Sequence, residues 1–318
     1  MAKPVVLLYE EIHKTALAIL EEKAEVRWAE SLEEEALLEQ VADIEAIVIR
    51  ANGRVSRRLM EAAPKLKVVG RHGVGVEAVD LQAARDLGIV VVNTPDANTQ
   101  SVAEHCLGLM LAVASQIVRA DKATRRGEWH VRYEYIGTEL QGKTLGLVGF
   151  GRIGQRTATM CHMALQMPIL YFDQVDYRDV ETELGARRVS LDELLSTADV
   201  VSLHVPLLPA TRGLIGDAEL RRMKQSAFLI NTARGPVVDQ AALVRALQER
   251  WIAGAGLDVH DPEPLPASSP LLALQNVVVT PHMASHTDEA LLRMALVVED
   301  ILAVLEGREP RYPVTAAK

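Results

Sequence analysis

The chain has 318 residues, of which 49% are hydrophobic and 24% charged, and its formal net charge is -9. This length is sufficient for two domains with buried cores, and the negative charge argues against a nucleic-acid partner because phosphates would repel the protein. No apolar run has the length of a membrane span or the pattern of a signal peptide, so we expect a cytoplasmic protein with no membrane partner.

Residues 1–95 alternate between strand and helix patterns. Amphipathic segments such as Thr15–Lys23 and Leu32–Val41 predict helices between short apolar runs that predict strands. This alternation predicts a small, doubly wound parallel sheet, and such sheets bind ligands at the carboxyl ends of their strands. The predicted strands are Pro4–Tyr9, Glu25–Trp28, Ala46–Ile49, Leu66–Val69 and Ile89–Val92.

Arginines follow two of these predicted strands. Arg50 comes directly after Ile49, and Arg71 precedes the sequence His-Gly-Val-Gly75. The glycines Gly73 and Gly75 permit a turn whose amides face an anion. Each arginine taken alone is equally well explained as a solvated surface charge. Together, beside a glycine turn, they predict an anion-binding site.

The strand–helix alternation is interrupted after the fifth predicted strand. Pro95 ends that strand, and the polar residues from Asn98 to Ser101 can cap a helix. We predict one helix from about Val102 to Arg125, which leads the chain into a second domain.

Three residues near this helix are of interest. Glu104 and His105 lie in its predicted first turn, where a carboxylate is usually no more than electrostatically favourable, so we assign neither a catalytic role. Arg132 lies in the loop that follows the helix. A surface position is the simpler interpretation for Arg132, and contact with the active site or with a partner subunit is the alternative.

The second half of the chain is organised around a glycine motif. A buried strand, Leu145–Val148, leads into Gly149-x-Gly151-x-x-Gly154, and a predicted helix follows from Ile153 to Gln166. These glycines permit a tight turn, the close approach of a pyrophosphate and close packing of helix on strand, and the helix N-terminus offers N–H groups to phosphates. The motif predicts a dinucleotide-binding fold, with a glycine-rich turn of another α/β protein as the alternative.

An acidic residue determines the predicted cofactor. Asp173 follows the next predicted strand, at about the place where a dinucleotide fold positions the carboxylate that binds the ribose hydroxyls. A carboxylate there repels a 2′-phosphate, and Gln174 and Val175 supply no cation to bind one. We therefore predict NAD as the cofactor in preference to NADP.

Polar or charged residues follow nearly every strand predicted in the second half. Because parallel strands end at the same edge of a sheet, these residues should converge on one ligand-binding edge. A final helix is predicted from Ser285 to Glu306. The predicted strands are Leu145–Val148, Ile169–Phe172, Val200–Leu203, Ala227–Ile230, Gly254–Leu257 and Val277–Val279, and the residues that follow them are Asp173, His204, Asn231 with Thr232 and Arg234, Asp258, and His282.

Three side chains of this half suit hydride transfer between a 2-hydroxy acid and a nicotinamide. His282 can take the hydroxyl proton as a general base, and Arg234 can hold the acid group of the substrate bidentately. Glu263 can hold the tautomer of the histidine and stabilise its charged form. His260 and His286 flank the predicted site and are alternative bases.

No metal is predicted. A zinc site made from His282, His286 and Asp288 is conceivable, but no compact ligand pattern with a pair of cysteines supports it. The two cysteines, Cys106 and Cys161, lie in helical patterns and are predicted to be buried, reduced thiols.

As an ordered set, the motifs resemble the D-isomer-specific 2-hydroxyacid dehydrogenase family, which includes 3-phosphoglycerate dehydrogenase, over the whole chain. The resemblance implies an α/β fold of two doubly wound parallel-sheet domains. A Rossmann NAD-binding domain, residues 98–285, is inserted in a flavodoxin-like substrate domain made of residues 1–97 and 286–318. The matching stretches are Gly73–Gly75, Ser101–Glu104, Gly137–Leu140, Gly149–Gly154, His204–Leu207, Asn231–Gly235, Leu257–Val259, Pro262–Pro264 and Thr280–His282.

The resemblance also implies roles for individual residues. The catalytic trio of the family falls on Arg234, Glu263 and His282. Family members are commonly homodimers paired through their cofactor domains, so we expect a homodimer. The resemblance implies Val74 and Gly75 for the substrate carboxylate, Arg152 and Ile153 for the pyrophosphate, and Asp258 for the nicotinamide carboxamide. With the motif residues Gly149, Gly151, Gly154 and Asp173, the predicted cofactor-binding residues also include His204, Pro206 and Thr232.

The chain departs from the family at two places that concern the shape and polarity of the pocket. Family members often have an aromatic residue where His260 stands. Many have glycine soon after the catalytic histidine, where this chain has Ala284-Ser285-His286. Because the chain ends at Lys318, we expect a short form that lacks the C-terminal regulatory domain of long phosphoglycerate dehydrogenases.

The substrate is the least constrained part of the prediction. Arg50, Arg71 and Arg132 suggest a substrate with a second anionic group, so we rank 3-phosphoglycerate first. The alternative is reduction of hydroxypyruvate or glyoxylate, as in many shorter members of the family. A formate dehydrogenase of the same fold is disfavoured because those enzymes pair the histidine with glutamine, whereas this chain has Glu263. An NAD-sensing binding protein, like the corepressors built on this fold, is also conceivable.

Overall fold

The computed structural model describes residues 3–314. The chain divides into two compact units, each built on one parallel sheet. The first unit contains the chain up to Asn98 together with the chain from His286 onward, and the second is Thr99–Ser285. Both units have the predicted α/β architecture, with five strands in the first sheet and seven in the second.

The first sheet has the strand order β2-β1-β3-β4-β5, which is the flavodoxin-like order of doubly wound sheets. Helices on both faces explain why the central strand β3 is buried along its whole length. The elements are β1 (Val5–Leu8), α1 (Lys14–Lys23), β2 (Glu25–Trp28), α2 (Glu34–Leu38), β3 (Ala46–Ile49), α3 (Arg57–Glu61), β4 (Val68–Arg71), α4 (Leu81–Asp86) and β5 (Val90–Val92).

Strand β4 differs from its prediction, because the strand continues through Gly70 to Arg71 instead of ending at Val69. Arg71 pairs in register with Ile49 of β3, so it is the last residue of a strand. Glycine is needed at position 70 because a Cβ there would lie 2.3 Å from Cδ1 of Ile301. The glycine that ended the pattern in the sequence therefore marks a close approach between elements.

The second unit begins with two helices where the sequence predicted one. The single helix Val102–Arg125 is wrong, because the helix is broken between α5 (Thr99–Ala114) and α6 (Ile117–Arg125), whose axes differ by 63°. Gln116 has a left-handed backbone with φ 55°, which an α-helix cannot contain. Its side chain donates to the carbonyl of Ile136 at 2.7 Å, which ties the break to the following loop.

Helix α5 packs against the sheet of the second unit. A Cβ at Gly256 would lie 3.0 Å from Cβ of Leu109, so small residues of the strand let this helix approach closely. Within residues 3–314, no single helix is long and apolar enough to cross a membrane, although α5 and α6 counted together pass by length and composition. Cys106 of α5 and Cys161 are both free and buried, as predicted, and burial raises the pKa of the Cys106 thiol to about 11.

The second sheet has the order β12-β11-β10-β9-β6-β7-β8, which contains the dinucleotide-binding order and adds β12 at one edge. Strand β10 lies one residue later than predicted, and the short edge strand β8 was missed because two arginines form no apolar run. The elements are β6 (Leu145–Val148), α7 (Arg152–Leu165), β7 (Ile169–Phe172), α8 (Arg178–Leu184), β8 (Arg187–Arg188), α9 (Leu191–Thr197), β9 (Val200–Leu203), α10 (Asp217–Arg222), β10 (Phe228–Asn231), α11 (Gln240–Gln248), β11 (Gly254–Leu257) and β12 (Val277–Val279).

The chain then returns to the first unit as two helices, α12 (Asp288–Ala295) and α13 (Val297–Leu305). The predicted single helix from Ser285 starts too early, because the hydroxyl of Thr287 caps α12 by accepting from the amide of Ala290. Leu296 separates the two helices, and α13 packs against β4.

Candidate active site

The glycine motif forms a turn between β6 and α7 that no larger residues could make. Gly149 has φ 93°, and a Cβ on it would lie 2.7 Å from the carbonyl carbon of His204. A Cβ on Gly154 would lie 2.6 Å from the carbonyl oxygen of Gly149. A Cβ on Gly151 would meet no atom of the described chain within 4 Å, so this side of the turn is open. The turn therefore fits a ligand whose phosphates approach the backbone at Gly151 and the start of α7.

Asp173 follows the last residue of β7 and stabilises this turn through hydrogen bonds. Its Oδ2 accepts from the amide of Phe150 at 2.7 Å, and its Oδ1 accepts from the amide of Val175 at 2.9 Å. Arg188 of β8 donates to the carbonyl oxygens of Asp173 and Gln174 at 2.7 and 3.0 Å. The residues next in sequence supply no cation, but the neighbouring strand brings this guanidinium to the same edge.

His204 lies beneath the glycine turn, with its Cδ2 3.7 Å from the position of a Cβ on Gly154. Loss of hydration lowers the pKa of His204 to about 4, so its imidazole is neutral at pH 7. Its Nε2 lies 2.9 Å from Oγ of Ser202, which in turn lies 3.1 Å from Sγ of Cys106. The ring therefore belongs to a hydrogen-bonded cluster under the turn, and its predicted contact with the cofactor stays a prediction.

The other two residues predicted to line the cofactor also follow strands of this sheet. Pro206 comes shortly after β9, and its carbonyl accepts from the hydroxyl of Thr211 at 2.6 Å. Thr232 comes directly after β10 and is 9% exposed. Both therefore lie at the carboxyl edge of the sheet, as the pattern of polar residues predicts.

A histidine–carboxylate pair lies at the same edge of the second sheet. Nδ1 of His282 is 2.8 Å from Oε2 of Glu263, whose Oε1 accepts from the amide of His260 at 2.9 Å. Burial alone would raise the pKa of Glu263, but the hydrogen bonds from His282 and from the His260 amide outweigh it and lower that pKa. The side chain of His282 is 49% exposed, so a ligand can reach it. The pair can hold a proton on a solvent-accessible imidazole.

Asp258 follows β11 and has a fully buried side chain. Its Oδ1 accepts from the hydroxyl of Thr280 at 2.5 Å and from the amide of Met283 at 2.9 Å, while Oδ2 accepts from the amide of Ala284 at 2.8 Å. Burial by itself would raise the pKa of Asp258, but the hydrogen bonds from His105, Thr280 and the two amides outweigh burial and lower that pKa, so the group is a carboxylate. Its predicted contact with the nicotinamide carboxamide stays a prediction.

Arg234 starts a short 3-10 helix after β10. Asn231 holds this loop, because its side-chain amide donates to the Arg234 carbonyl at 3.0 Å and its Oδ1 accepts from the amide of Ala233 at 3.0 Å. The loop lies against the segment that carries Glu263, since a Cβ on Gly235 would lie 1.8 Å from the carbonyl oxygen of His260. The structure thus brings the loops of the predicted catalytic trio together within the second unit.

Within the first unit, the predicted anion-binding arginines contact nearby carbonyl groups. Arg71 donates from Nε to the carbonyl oxygen of Gly75 at 2.7 Å and from Nη1 to the carbonyl of His72. The carbonyl of Val74 accepts from the side chain of Asn93 at 2.8 Å. The turn that contains Val74 and Gly75 is therefore held by bonds through its carbonyl groups.

The loop after β3 is bonded to the segment that follows β1. Nη1 of Arg50 donates to the carbonyl oxygen of Glu11 at 2.7 Å. The carboxylate of Glu10 accepts from the amides of Ala51 and Asn52 at 2.6 and 2.8 Å. Sequence reasoning missed Glu10, since nothing in the sequence places the end of β1 beside the loop after β3.

The structure bears on three alternatives: His260 as the base, a metal site, and the position of Arg132. The Nε2 of His260 lies 2.9 Å from the carbonyl of Thr280, and the residue is 6% exposed, so its ring is a poor proton acceptor for a substrate. Among residues 3–314, no group of three or more His, Cys, Asp or Glu side chains is arranged to hold a metal ion. Arg132 lies on a 3-10 helix with its guanidinium 5.2 Å from the ring of Tyr133.

Comparisons with known proteins give one answer about the family. The family model described as D-isomer specific 2-hydroxyacid dehydrogenase, NAD binding domain, matches residues 107–284. A glyoxylate reductase of Thermofilum pendens is 45% identical, with 98% of this chain and 94% of that protein covered. A D-3-phosphoglycerate dehydrogenase of Methanocaldococcus jannaschii is 44% identical, with 95% of this chain but 57% of that protein covered. A crystal structure of a Thermus thermophilus protein has a TM-score of 0.92 at 43% identity, with 98% of this chain and 100% of that chain covered.

Proposed function

We propose that this chain, which belongs to the D-isomer-specific 2-hydroxyacid dehydrogenase family and is an NAD(P)-dependent oxidoreductase, reduces glyoxylate and hydroxypyruvate with NADH. The observation that carries the proposal is the 2.8 Å hydrogen bond between the exposed His282 and Glu263. Two relatives that are covered over nearly their full length are named glyoxylate reductases, which supports glyoxylate as a substrate. Glyoxylate is therefore ranked ahead of 3-phosphoglycerate, the substrate that the arginines alone favour.

Each member of the trio has one role in the proposed reaction. When bound, NADH supplies the hydride that reaches the carbonyl carbon of the 2-oxo acid. Nε2 of His282 donates the proton to the carbonyl oxygen, and Glu263 stabilises the imidazolium through Nδ1. Within the second unit, Arg234 holds the substrate carboxylate. In the oxidation direction His282 accepts the hydroxyl proton instead.

The contacts of Glu10 support a substrate with a single negative charge. Its carboxylate already occupies the amides of Ala51 and Asn52, and Arg50 is bonded to the Glu11 carbonyl. A phosphate group bound at this loop would meet the charge of Glu10, which costs on the order of 1 kcal/mol or more at close range. Glyoxylate and hydroxypyruvate avoid this repulsion because neither carries a second anionic group.

A second candidate is the 3-phosphoglycerate dehydrogenase activity that the sequence ranked first. Arg50 and Arg71 at the ends of β3 and β4 favour it, as does the relative from Methanocaldococcus jannaschii. In this case Arg50 and Arg71 of the first unit would bind the phosphate.

Steady-state NADH oxidation with glyoxylate, hydroxypyruvate, phosphohydroxypyruvate, pyruvate and oxaloacetate separates the two candidates. We expect hydroxypyruvate and glyoxylate to have the highest kcat/KM. Glu10→Gln should raise kcat/KM for phosphohydroxypyruvate by about fivefold or more, because roughly 1 kcal/mol of repulsion is removed, and leave glyoxylate unchanged. The exposed Glu22→Gln is the matched control. A preference for phosphohydroxypyruvate that is lost in Arg71→Ala would overturn the proposal in favour of the second candidate.

Asp173 supports NAD as the preferred cofactor. Its carboxylate stands at the end of β7 next to the glycine turn, where a dinucleotide fold binds the adenosine ribose. The open face at Gly151 fits the pyrophosphate, and Arg152 and Ile153 begin the helix whose N-terminus would face it. The guanidinium of Arg188 lies near the same edge and would favour a 2′-phosphate, so the choice of NAD depends on repulsion by the Asp173 carboxylate.

A homodimer is proposed on the basis of an exposed apolar segment in the cofactor domain. Trp129, Tyr133 and Ile136 are 68%, 78% and 81% exposed, which is unusual for three large apolar residues so close in sequence. Light scattering coupled to size-exclusion chromatography tests this, and we expect a dimer that Tyr133→Glu with Ile136→Glu converts to a monomer. A monomeric unmodified chain would contradict the expectation.

A further inference from the structure

Three successive backbone amides around His282 bind a single residue. The amides of His282, Met283 and Ala284 donate to the main-chain oxygen, Oδ1 and Oδ2 of Asp258, at 2.7, 2.9 and 2.8 Å. His282 has a left-handed backbone with φ 52°, which is uncommon for a residue with a side chain and persists only where the surroundings hold it. Asp258 therefore holds the turn from which the His282 side chain projects.

Asp258 is in turn held by two residues from distant parts of the chain. The hydroxyl of Thr280 lies 2.5 Å from Oδ1, and Nε2 of His105 lies 3.0 Å from that hydroxyl and 3.4 Å from Oδ1. A threonine hydroxyl has one proton, and it is donated to the carboxylate. Nε2 of His105 must therefore be the donor to Thr280, which specifies the tautomer of His105.

These contacts form one directed chain of hydrogen bonds, from His105 through Thr280 to Asp258, and Asp258 then accepts from the His282 turn. Every member lies within the second unit, and the Asp258 end is fully buried. His105 comes from the first part of α5, and nothing in its local sequence indicates a partner more than a hundred residues away.

We propose that His105 and Thr280 are positioning residues, which act through Asp258 to hold His282 where its Nδ1 meets Glu263. The proposal rests on the acid/base role of His282 in the proposed function. It gives Asp258 a task that is distinct from binding the nicotinamide carboxamide. Loss of either donor lets the carboxylate rotate, and the His282 turn relaxes from its left-handed conformation. Displacements of about 1 Å at a reacting group lower the rate by as much as 100-fold.

The test uses two variants that delete a hydrogen-bond donor and two that retain one. Thr280→Val removes the hydroxyl and Thr280→Ser keeps it; His105→Leu removes the donor and His105→Gln keeps an N–H near the position of Nε2. The exposed Glu22→Gln is the control for a surface replacement. The measurements are kcat and KM for glyoxylate, the pH profile of kcat/KM, the Kd for NADH from fluorescence, and Tm.

We expect Thr280→Val and His105→Leu to lower kcat by about 10- to 100-fold. The KM for glyoxylate and the Kd for NADH should change less than threefold, and the pH profile of kcat/KM should change its midpoint. Thr280→Ser and His105→Gln should restore most of the rate. An unchanged kcat and pH profile in both donor-deleting variants would overturn the proposal. So would a loss confined to NADH affinity, since that result indicates that Asp258 serves the carboxamide instead.

A readout without substrate separates this proposal from the proposed function. The rate at which diethyl pyrocarbonate modifies His282, followed by mass spectrometry, reports the environment of the exposed imidazole directly. We expect that rate to change at least threefold in Thr280→Val and to return in Thr280→Ser. If the unmodified chain reduces no 2-oxo acid, the proposed function fails, and the modification rates still decide whether His105 and Thr280 position His282.

Discussion

Replacing Glu263 with glutamine tests the histidine–carboxylate pair most directly. The side chain keeps its size, but a carboxylate with two acceptor oxygens becomes an amide with one acceptor and one donor. In the structure both oxygens are used as acceptors, one for Nδ1 of His282 at 2.8 Å and the other for the His260 amide at 2.9 Å. In Glu263→Gln, the NH2 group of the amide therefore faces either the N–H of His260 or Nδ1 of His282, and it can donate to Nδ1 only when that nitrogen carries no proton.

The expected loss follows from these two contacts. If the amide oxygen keeps the His260 bond, the NH2 group faces Nδ1 of His282 and disfavours the imidazolium that must donate the proton. A hydrogen bond to a charged group contributes about 1.5–3 kcal/mol, which corresponds to a roughly 10- to 150-fold loss in kcat/KM for glyoxylate reduction. NADH affinity should change less than threefold, because Glu263 lies after β11 and away from the glycine turn.

The assay is steady-state NADH oxidation with glyoxylate across pH 5–9, together with NADH titration by fluorescence. Glu22→Gln on the exposed face of α1 serves as the control for a surface carboxylate. A kcat/KM within threefold of the unmodified chain at every pH would refute the reasoning, because the carboxylate would then contribute nothing to proton transfer.

Three further predictions concern backbone packing, cofactor choice and acid stability. Gly235→Ala should lower kcat by about 100-fold, because a Cβ 1.8 Å from the His260 carbonyl oxygen forces the two site loops apart by more than about 1 Å. Gly108→Ala is the control and should leave kcat unchanged, because a Cβ at Gly108 meets no atom within 4 Å. Asp173→Asn should raise the ratio of kcat/KM for NADPH to that for NADH at least tenfold, and adding Arg188→Gln should remove the gain. Burial, together with the charge of Arg50, lowers the pKa of His72 from 6.5 to about 4. Between these two pH values the unfolded chain binds a proton at His72 that the folded chain does not bind, so the stability of the fold decreases as the pH falls through this range. Urea unfolding at pH 7 and pH 4 should show a loss of up to about 3 kcal/mol from this group, and His72→Gln should lose correspondingly less.

These three predictions have clear contrary outcomes. A Gly235→Ala enzyme with full activity would mean that the loops tolerate the added methyl group. An unchanged cofactor ratio in Asp173→Asn would indicate that the carboxylate does not face the ribose. Equal acid sensitivity in His72→Gln and the unmodified chain would show that another group controls the loss.

The fold class and most of the strands follow from local sequence patterns. Buried parallel strands are continuous apolar runs, so Ala46–Ile49, Leu145–Val148 and Val200–Leu203 follow from the sequence with the bounds that the structure has. The glycine motif was equally local, because the turn conformation and the close packing that require Gly149 and Gly154 occur within a few residues. The polar residues after the strands could be placed at one edge, since parallel strands share their direction.

Breaks in helices were not predictable from these patterns. The apolar periodicity continues across Gln116, so the sequence gives no sign of the 63° change in direction between α5 and α6. The bond from the Gln116 side chain to the Ile136 carbonyl, which stabilises the break, is visible only in the structure. Strand β8 was missed because it is a two-residue edge strand of arginines, and with it the cation that reaches the backbone of Asp173.

Which distant groups meet depends on the packing of each whole unit. Glu10 reaches the loop after β3 because β1 and β3 are neighbours in the first sheet, and His105 reaches Thr280 in the same way because α5 packs against β11 and β12. Residue type and spacing encode which element forms, since those preferences act over a few residues. The hydrogen bonds that orient His282 depend on strand order and helix packing, which arise only when the whole unit buries its core.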